Sequence, residues 1–145
     1  MAEPAQNFAN HKRIVPLYHV VAFGILVIWF VQSGYVLVTD FTLDHLLRLF
    51  LAIALVLLFF FARTFALTVQ DRVIRLEMML RLERHLPEDL RARTTELELG
   101  QLIALRFASD AELPELVRAV LDEGIKDRGE IKRRIRTWRP DHLRC

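Results

Sequence analysis

Apolar positions dominate this chain from Leu17 to Leu67, whereas from Gln70 onward apolar and charged residues alternate with helical spacing. The first apolar run, Leu17 to Val38, is 22 residues long and uncharged. As a helix it would extend about 33 Å, enough to cross a hydrocarbon core of roughly 30 Å. Pro16 stands where a first helical turn accepts proline, and Lys12 and Arg13 precede it. Tyr18 and His19 at one end and Trp29, Phe30 and Tyr35 toward the other resemble the aromatic belts of a span. A second run, Leu46 to Leu67, follows a short connection in which Thr42 and Asp44 are candidate helix caps. Only Arg48 and Arg63 interrupt it, with fourteen uncharged residues between them. That interval spans about 21 Å of helix, so both guanidinium groups can extend along the axis to headgroups.

A cleaved signal sequence is the alternative for the first run. Its length and the absence of a small-x-small site before the second run argue against that. A buried pair of core helices in a soluble protein would show polar residues on one face, and neither run does.

Beyond the second run, Thr68 to His85 contains no Gly or Pro, so the helix is expected to continue until Pro87 forces Leu86 out of helical geometry. Val69, Val73, Leu76 and Leu80 recur at steps of four, three and four and form a stripe. Ile74, Met78 and Leu82 form a second row, which makes the extension apolar on more than one side and predicts that other helices cover it. After Pro87, Thr95 with Glu98 and Ser109 with Glu112 fit capping boxes ahead of two short helices, and Gly124 fits a helix stop. A last helix is predicted from Asp127 to Trp138, with Ile131, Ile135 and Trp138 on its apolar face.

These elements define an all-α fold: a two-helix transmembrane hairpin whose second helix extends into the cytoplasm and carries a small helical domain. The predicted segments are 1–16 (cytoplasmic), 17–38 (first span), 39–44 (external loop), 45–67 (second span), 68–86 (helix extension) and 87–145 (cytoplasmic domain). The loop at 39–44 holds two aspartates and no basic residue, whereas Lys12, Arg13, Arg72, Arg75, Arg81 and Arg84 flank the other ends. The positive-inside rule therefore places both termini in the cytoplasm.

Charge sharpens this picture. The segment from Leu86 to Ile125 has four basic and nine acidic residues, and that from Lys126 to Cys145 has eight basic and three acidic. The two blocks can attract each other, or Lys132, Arg133, Arg134 and Arg136 can contact anionic lipid. Nucleic acid is not favoured, because no stacking platform accompanies the basic residues. Gln32, Ser33 and Gly34 form a polar patch in the first span, where Gln32 is a candidate contact to a partner helix. The chain has no Gly-rich phosphate loop, H-E-x-x-H, C-x-x-C or G-x-S-x-G pattern, and its single cysteine, Cys145, allows no internal disulfide. The five histidines show no metal-ligand spacing. No enzyme activity, cofactor or metal is therefore predicted.

Several stretches together carry a resemblance: Asn10-His11-Lys12-Arg13, Val69 to Glu77, Leu86-Pro87-Glu88-Asp89-Leu90, Gln101 to Asp110, and Trp138-Arg139-Pro140-Asp141. The chain resembles an uncharacterised family of small bacterial membrane proteins catalogued as a domain of unknown function. Some similar sequences carry an ABC transporter permease label. The resemblance implies bacterial origin and a two-span architecture, and it implies no activity; with the two spans, the expected location is a bacterial inner membrane. The expected function is a non-enzymatic membrane protein whose cytoplasmic domain self-associates or docks another membrane protein. Val69, Val73, Leu76, Leu80 and Gln32 are the candidate contact residues. The alternative is a transporter or channel subunit assembled from several hairpins around Gln32, Ser33 and Arg63.

Overall fold

Two apolar helices and a bundle of short ones account for the architecture of the computed structural model, which describes residues 7, 8 and 15–141. Asn10, His11, Lys12, Arg13 and Cys145, named above, lie outside the described residues. The first helix enters through wide π-type turns over Leu17–Ala22 and continues as α1, Phe23–Thr39. The second, α2, runs from Leu43 to His85. Four short helices follow: α3 (Glu88–Arg91), α4 (Leu99–Leu105), α5 (Leu113–Asp122) and α6 (Arg128–Arg134). A 3₁₀ turn at Thr94–Glu96 lies between α3 and α4. No strand occurs among the described residues; Ala108 and Trp138 form an isolated antiparallel bridge.

The chain divides into two compact units, residues 13–67 and residues 1–12 with 68–145. In the first, the helix from Leu17 to Thr39 and α2 are both long and apolar enough to cross a membrane. Tyr18 donates its hydroxyl to the Phe59 carbonyl at 2.7 Å and stacks on the Phe59 ring at 4.2 Å, and Phe23 meets the same ring at 5.7 Å. Only Ser33 and Ala52 are buried among this unit's described residues, both of them small. Thr42 caps α2 as its sequence position predicts, its hydroxyl accepting the His45 N–H at 3.2 Å. Arg48, expected to extend toward headgroups, pairs with Asp44 one turn back at 2.7 Å.

The second unit has a continuous core built from α2 and every short helix. Ile74, Met78 and Leu82 project from α2 into a cluster with Leu90, Leu102, Leu105, Phe107, Leu113, Val117, Val120 and Ile131. Full burial of one such side chain contributes about 1.5–3 kcal/mol, and short helices of four to ten residues have little stability without it. The extension of α2 is thus part of this unit's core.

Local chemistry shifts several boundaries from those the sequence predicts. The capping box expected of Thr95 forms three residues later: Glu98 caps α4, and Gln101 returns the bond by accepting the Glu98 N–H at 2.6 Å. Thr95 instead belongs to the preceding 3₁₀ turn. The Ser109 hydroxyl accepts the Glu112 N–H at 3.4 Å, as expected, but the Glu112 carboxylate turns away and accepts the N–H groups of Arg136 and Thr137 at 2.8 and 3.0 Å. Those two bonds explain why α6 ends at Arg134 rather than at Trp138. At Ile135, itself extended, the chain leaves the helix, and Ser109 N–H donates to the Thr137 carbonyl at 3.1 Å and Arg139 N–H to the Phe107 carbonyl at 2.8 Å. Pro140 reinforces the change, because a residue before proline avoids helical geometry. Gly124 stops α5 as predicted: at φ 63° it lets the Ile125 N–H reach back to the Val120 carbonyl at 3.1 Å.

Candidate functional site

Over Val69 to His85, α2 presents two different apolar surfaces. Ile74, Met78 and Leu82 are 5%, 2% and 0% exposed, sealed under the short helices. On the opposite side Val69, Val73, Leu76 and Leu80 are 61%, 47%, 67% and 56% exposed. At about 100° per residue the four exposed side chains fall within roughly 60° of one another, nearly opposite Met78. This places the predicted stripe together on one face and leaves it exposed among the described residues.

Beside the stripe lies a cleft of about 680 Å³ lined in part by Leu80, Arg81, Arg84, Arg106, Asp110 and Arg139. Arg81 organises it. Its Nε donates to Asp110 at 2.6 Å, Nη1 to the Arg106 carbonyl at 3.1 Å and Nη2 to the Ala108 carbonyl at 2.5 Å. One guanidinium thus fastens α2 to the link between α4 and α5, using donors in a fixed planar fork. Asp110 is further approached by His85 at 3.8 Å and Arg139 at 3.5 Å, and the Arg81 hydrogen bond, against the opposing effect of burial, holds its carboxyl below the usual aspartate range. Arg106 pairs with Asp141 at 3.4 Å and lies over the Phe107 ring at 4.6 Å. The cleft's acids therefore neutralise most of its arginines, and the arrangement is a packing clamp rather than a receptor for free anions.

The basic C-terminal residues do not form one cationic face. Arg134 pairs with Glu123 at 2.7 Å and Glu130 at 2.8 Å, Arg136 with Glu115 at 3.5 Å, and Lys132 stands over the Phe107 ring at 5.2 Å. Arg133 is exposed and lies 5.8 Å from the Phe8 ring. Much of the basic block is thus spent on the acidic block that precedes it.

In the apolar unit Gln32 is exposed and lines a cavity of about 50 Å³ with Trp29, Ser33, Val36, His45 and Arg48. Such a space is large enough for a few water molecules. The Ser33 hydroxyl is used locally, donating to the Trp29 carbonyl at 2.7 Å. Arg63 is not among the lining residues; it lies fifteen positions beyond Arg48, about 22 Å along the helix. Gln32 and Ser33 are therefore brought together with Arg48 and not with Arg63. Among the described residues no group of three or more His, Cys, Asp or Glu side chains could hold a metal ion.

Sequence reasoning missed the clamp of Arg81 and Asp110 and the double acceptor role of Glu112. Arg81 counted only as one of several positive charges near a span, and its partners lie 25 to 29 positions away. The role of Gln101 is likewise not evident from sequence: it is buried, and its amide donates to the Ile125 carbonyl at 2.8 Å. A polar residue within an otherwise apolar helix, Leu99 to Leu105, was the available signal.

A family model covers the whole chain, residues 1–145, and is described as a family of unknown function (DUF6526). The chain belongs to that family. No curated protein and no solved structure matches it.

Proposed function

We propose that this chain is a non-enzymatic membrane protein: α1 and the apolar half of α2 cross the bilayer as a hairpin, and the helical unit stands on the cytoplasmic side as a docking module. The supporting features are the length of the two apolar helices, their exposed large side chains, and the segregation of acidic from basic flanks. The proposed location is a bacterial inner membrane, with both termini in the cytoplasm. Within this reading one observation carries the function: the stripe of Val69, Val73, Leu76 and Leu80, uncovered while the opposite face of the same helix is sealed. An apolar row of this kind in water is stabilised by a partner surface.

Chemical crosslinking in native membranes tests the reading. The natural chain should give a higher-order species, and Val73→Glu with Leu80→Glu should remove it. Persistence of the same species in that variant would show that the stripe is not the contact. A transport subunit built around Gln32, Ser33 and Arg63 is the weaker reading, since the three residues do not line one space. Anionic-lipid contact by Lys132, Arg133, Arg134 and Arg136 is also weaker, because Arg134 and Arg136 already have acidic partners.

A further inference from the structure

We infer that the partner of the α2 stripe is a second copy of this chain, joined in parallel and in register as a short two-stranded coiled coil, with Arg72 of each copy paired to Glu77 of the other. This rests on the reading of α2 as a membrane-crossing helix with a docking stripe, and it names the occupant.

Three observations lead there. The first is spacing: steps of four, three and four put Val73 and Leu80 at the a positions of a heptad and Val69 and Leu76 at the d positions. A β-branched residue at a beside Leu at d favours two strands over three or four, and the central pair here is Val73 and Leu76. The second is charge. With that assignment Arg72 occupies g and the Glu77 five residues later occupies e, the two positions that meet across a parallel dimer. Each copy would supply both, so the symmetric pair has two attractive contacts. Both side chains are exposed, and neither has an ion pair within the chain among the described residues. The third is the position of the rest of the unit. Ile74, Met78 and Leu82 fall at b, f and c, so the short helices pack on the back of α2 and leave the seam open.

Two heptads would be too short to hold two free helices together in water. A membrane changes that balance. Copies inserted with the same topology have their α2 helices parallel and at the same depth, so the orientational part of the association cost is already met. The shared depth also sets the register, which is what a self-complementary Arg72–Glu77 arrangement requires.

The test uses full-length protein in native membranes, with Cys145→Ser so that the only thiol is the introduced one. Single cysteines at Val69, Val73, Leu76 and Leu80 should form disulfide-linked dimers at least about tenfold faster than cysteines at Thr68 or Arg75, which point off the seam. Arg72→Glu and Glu77→Arg, each alone, should weaken dimerisation of full-length protein in lipid nanodiscs about tenfold, and the double variant should recover it. Seam cysteines that react no faster than the controls would overturn the second-copy assignment. If, in that case, Val73→Glu with Leu80→Glu still abolishes crosslinking to a different membrane protein, the docking reading survives and only its occupant is wrong. If that variant changes nothing, both fall. Fast seam crosslinking with no recovery in the double charge variant would overturn the Arg72–Glu77 pairing and its register.

Discussion

The two units treat the same side chains in opposite ways. In residues 13–67 leucine, isoleucine and phenylalanine are mostly exposed: Leu58 is 65% and Ile28 70% accessible. In the helical unit Leu82, Leu105, Leu113 and Ile131 are fully enclosed. The difference lies in the pattern. Where apolar residues surround a helix, the side chains of its own unit leave most of them exposed, the pattern of a helix long and apolar enough to cross a membrane. Where they recur on one face, neighbouring helices suffice. A single helix, α2, passes from one regime to the other, and its stripe is exposed in the helical unit as the apolar residues of the first unit are.

The largest test of that contrast compares equal truncations in the two units. Leu82→Ala should destabilise the helical unit by about 2–5 kcal/mol in denaturant unfolding of the full chain in detergent micelles, because it leaves a cavity. Leu58→Ala, in the exposed set, should leave the same transition unchanged to within about 0.5 kcal/mol. Equal effects would mean that the units share a core. A smaller effect is expected from Gly124→Ala, about 1 kcal/mol, because its φ of 63° is costly for a residue with a Cβ and no atom crowds the site. Should the melting temperature stay unchanged, the turn has relaxed to another conformation.

Acid should discriminate more gently. Asp110 is held below the usual aspartate range chiefly by the Arg81 hydrogen bond, and Asp127 by the backbone N–H groups of Glu130 and Gly129. For carboxyls lowered in the folded state, the stabilisation is fully present above the ordinary aspartate value of about 3.9 and is lost as pH falls through the lower folded value. Hydrogen exchange of the Ala108 to Leu113 amides should therefore accelerate below about pH 4 beyond the intrinsic rate. Asp110→Asn should remove much of that acid sensitivity.

The helical content of this protein was legible because its signals are local. The uninterrupted run from Thr68 to His85, the glycine at 124 and the threonine at 42 each act within a few residues. The stripe on α2 was equally readable, since helical spacing alone decides which side chains share a face. The C-terminal end of α6 was not legible, because the Glu112 carboxylate that captures the Arg136 and Thr137 amides lies 24 and 25 positions upstream. The same holds for Arg81, whose role is set by a carboxylate and two carbonyls brought to it only by folding. The basic block was legible only in outline, for a related reason. Charge counting recognised that it balances the acidic block but could not assign Arg134 to Glu123 and Glu130 and leave Arg133 exposed.

The placement of Leu82 in the core has a consequence for biosynthesis. Its companions Leu102, Val117 and Ile131 follow it by twenty to about fifty positions, an interval that a ribosome adding about 5–20 residues per second covers in roughly one to ten seconds. Throughout that time the newly made end of α2 would show greasy flanks on both sides. A nascent chain at this stage exposes the kind of surface that a holdase at the exit tunnel binds.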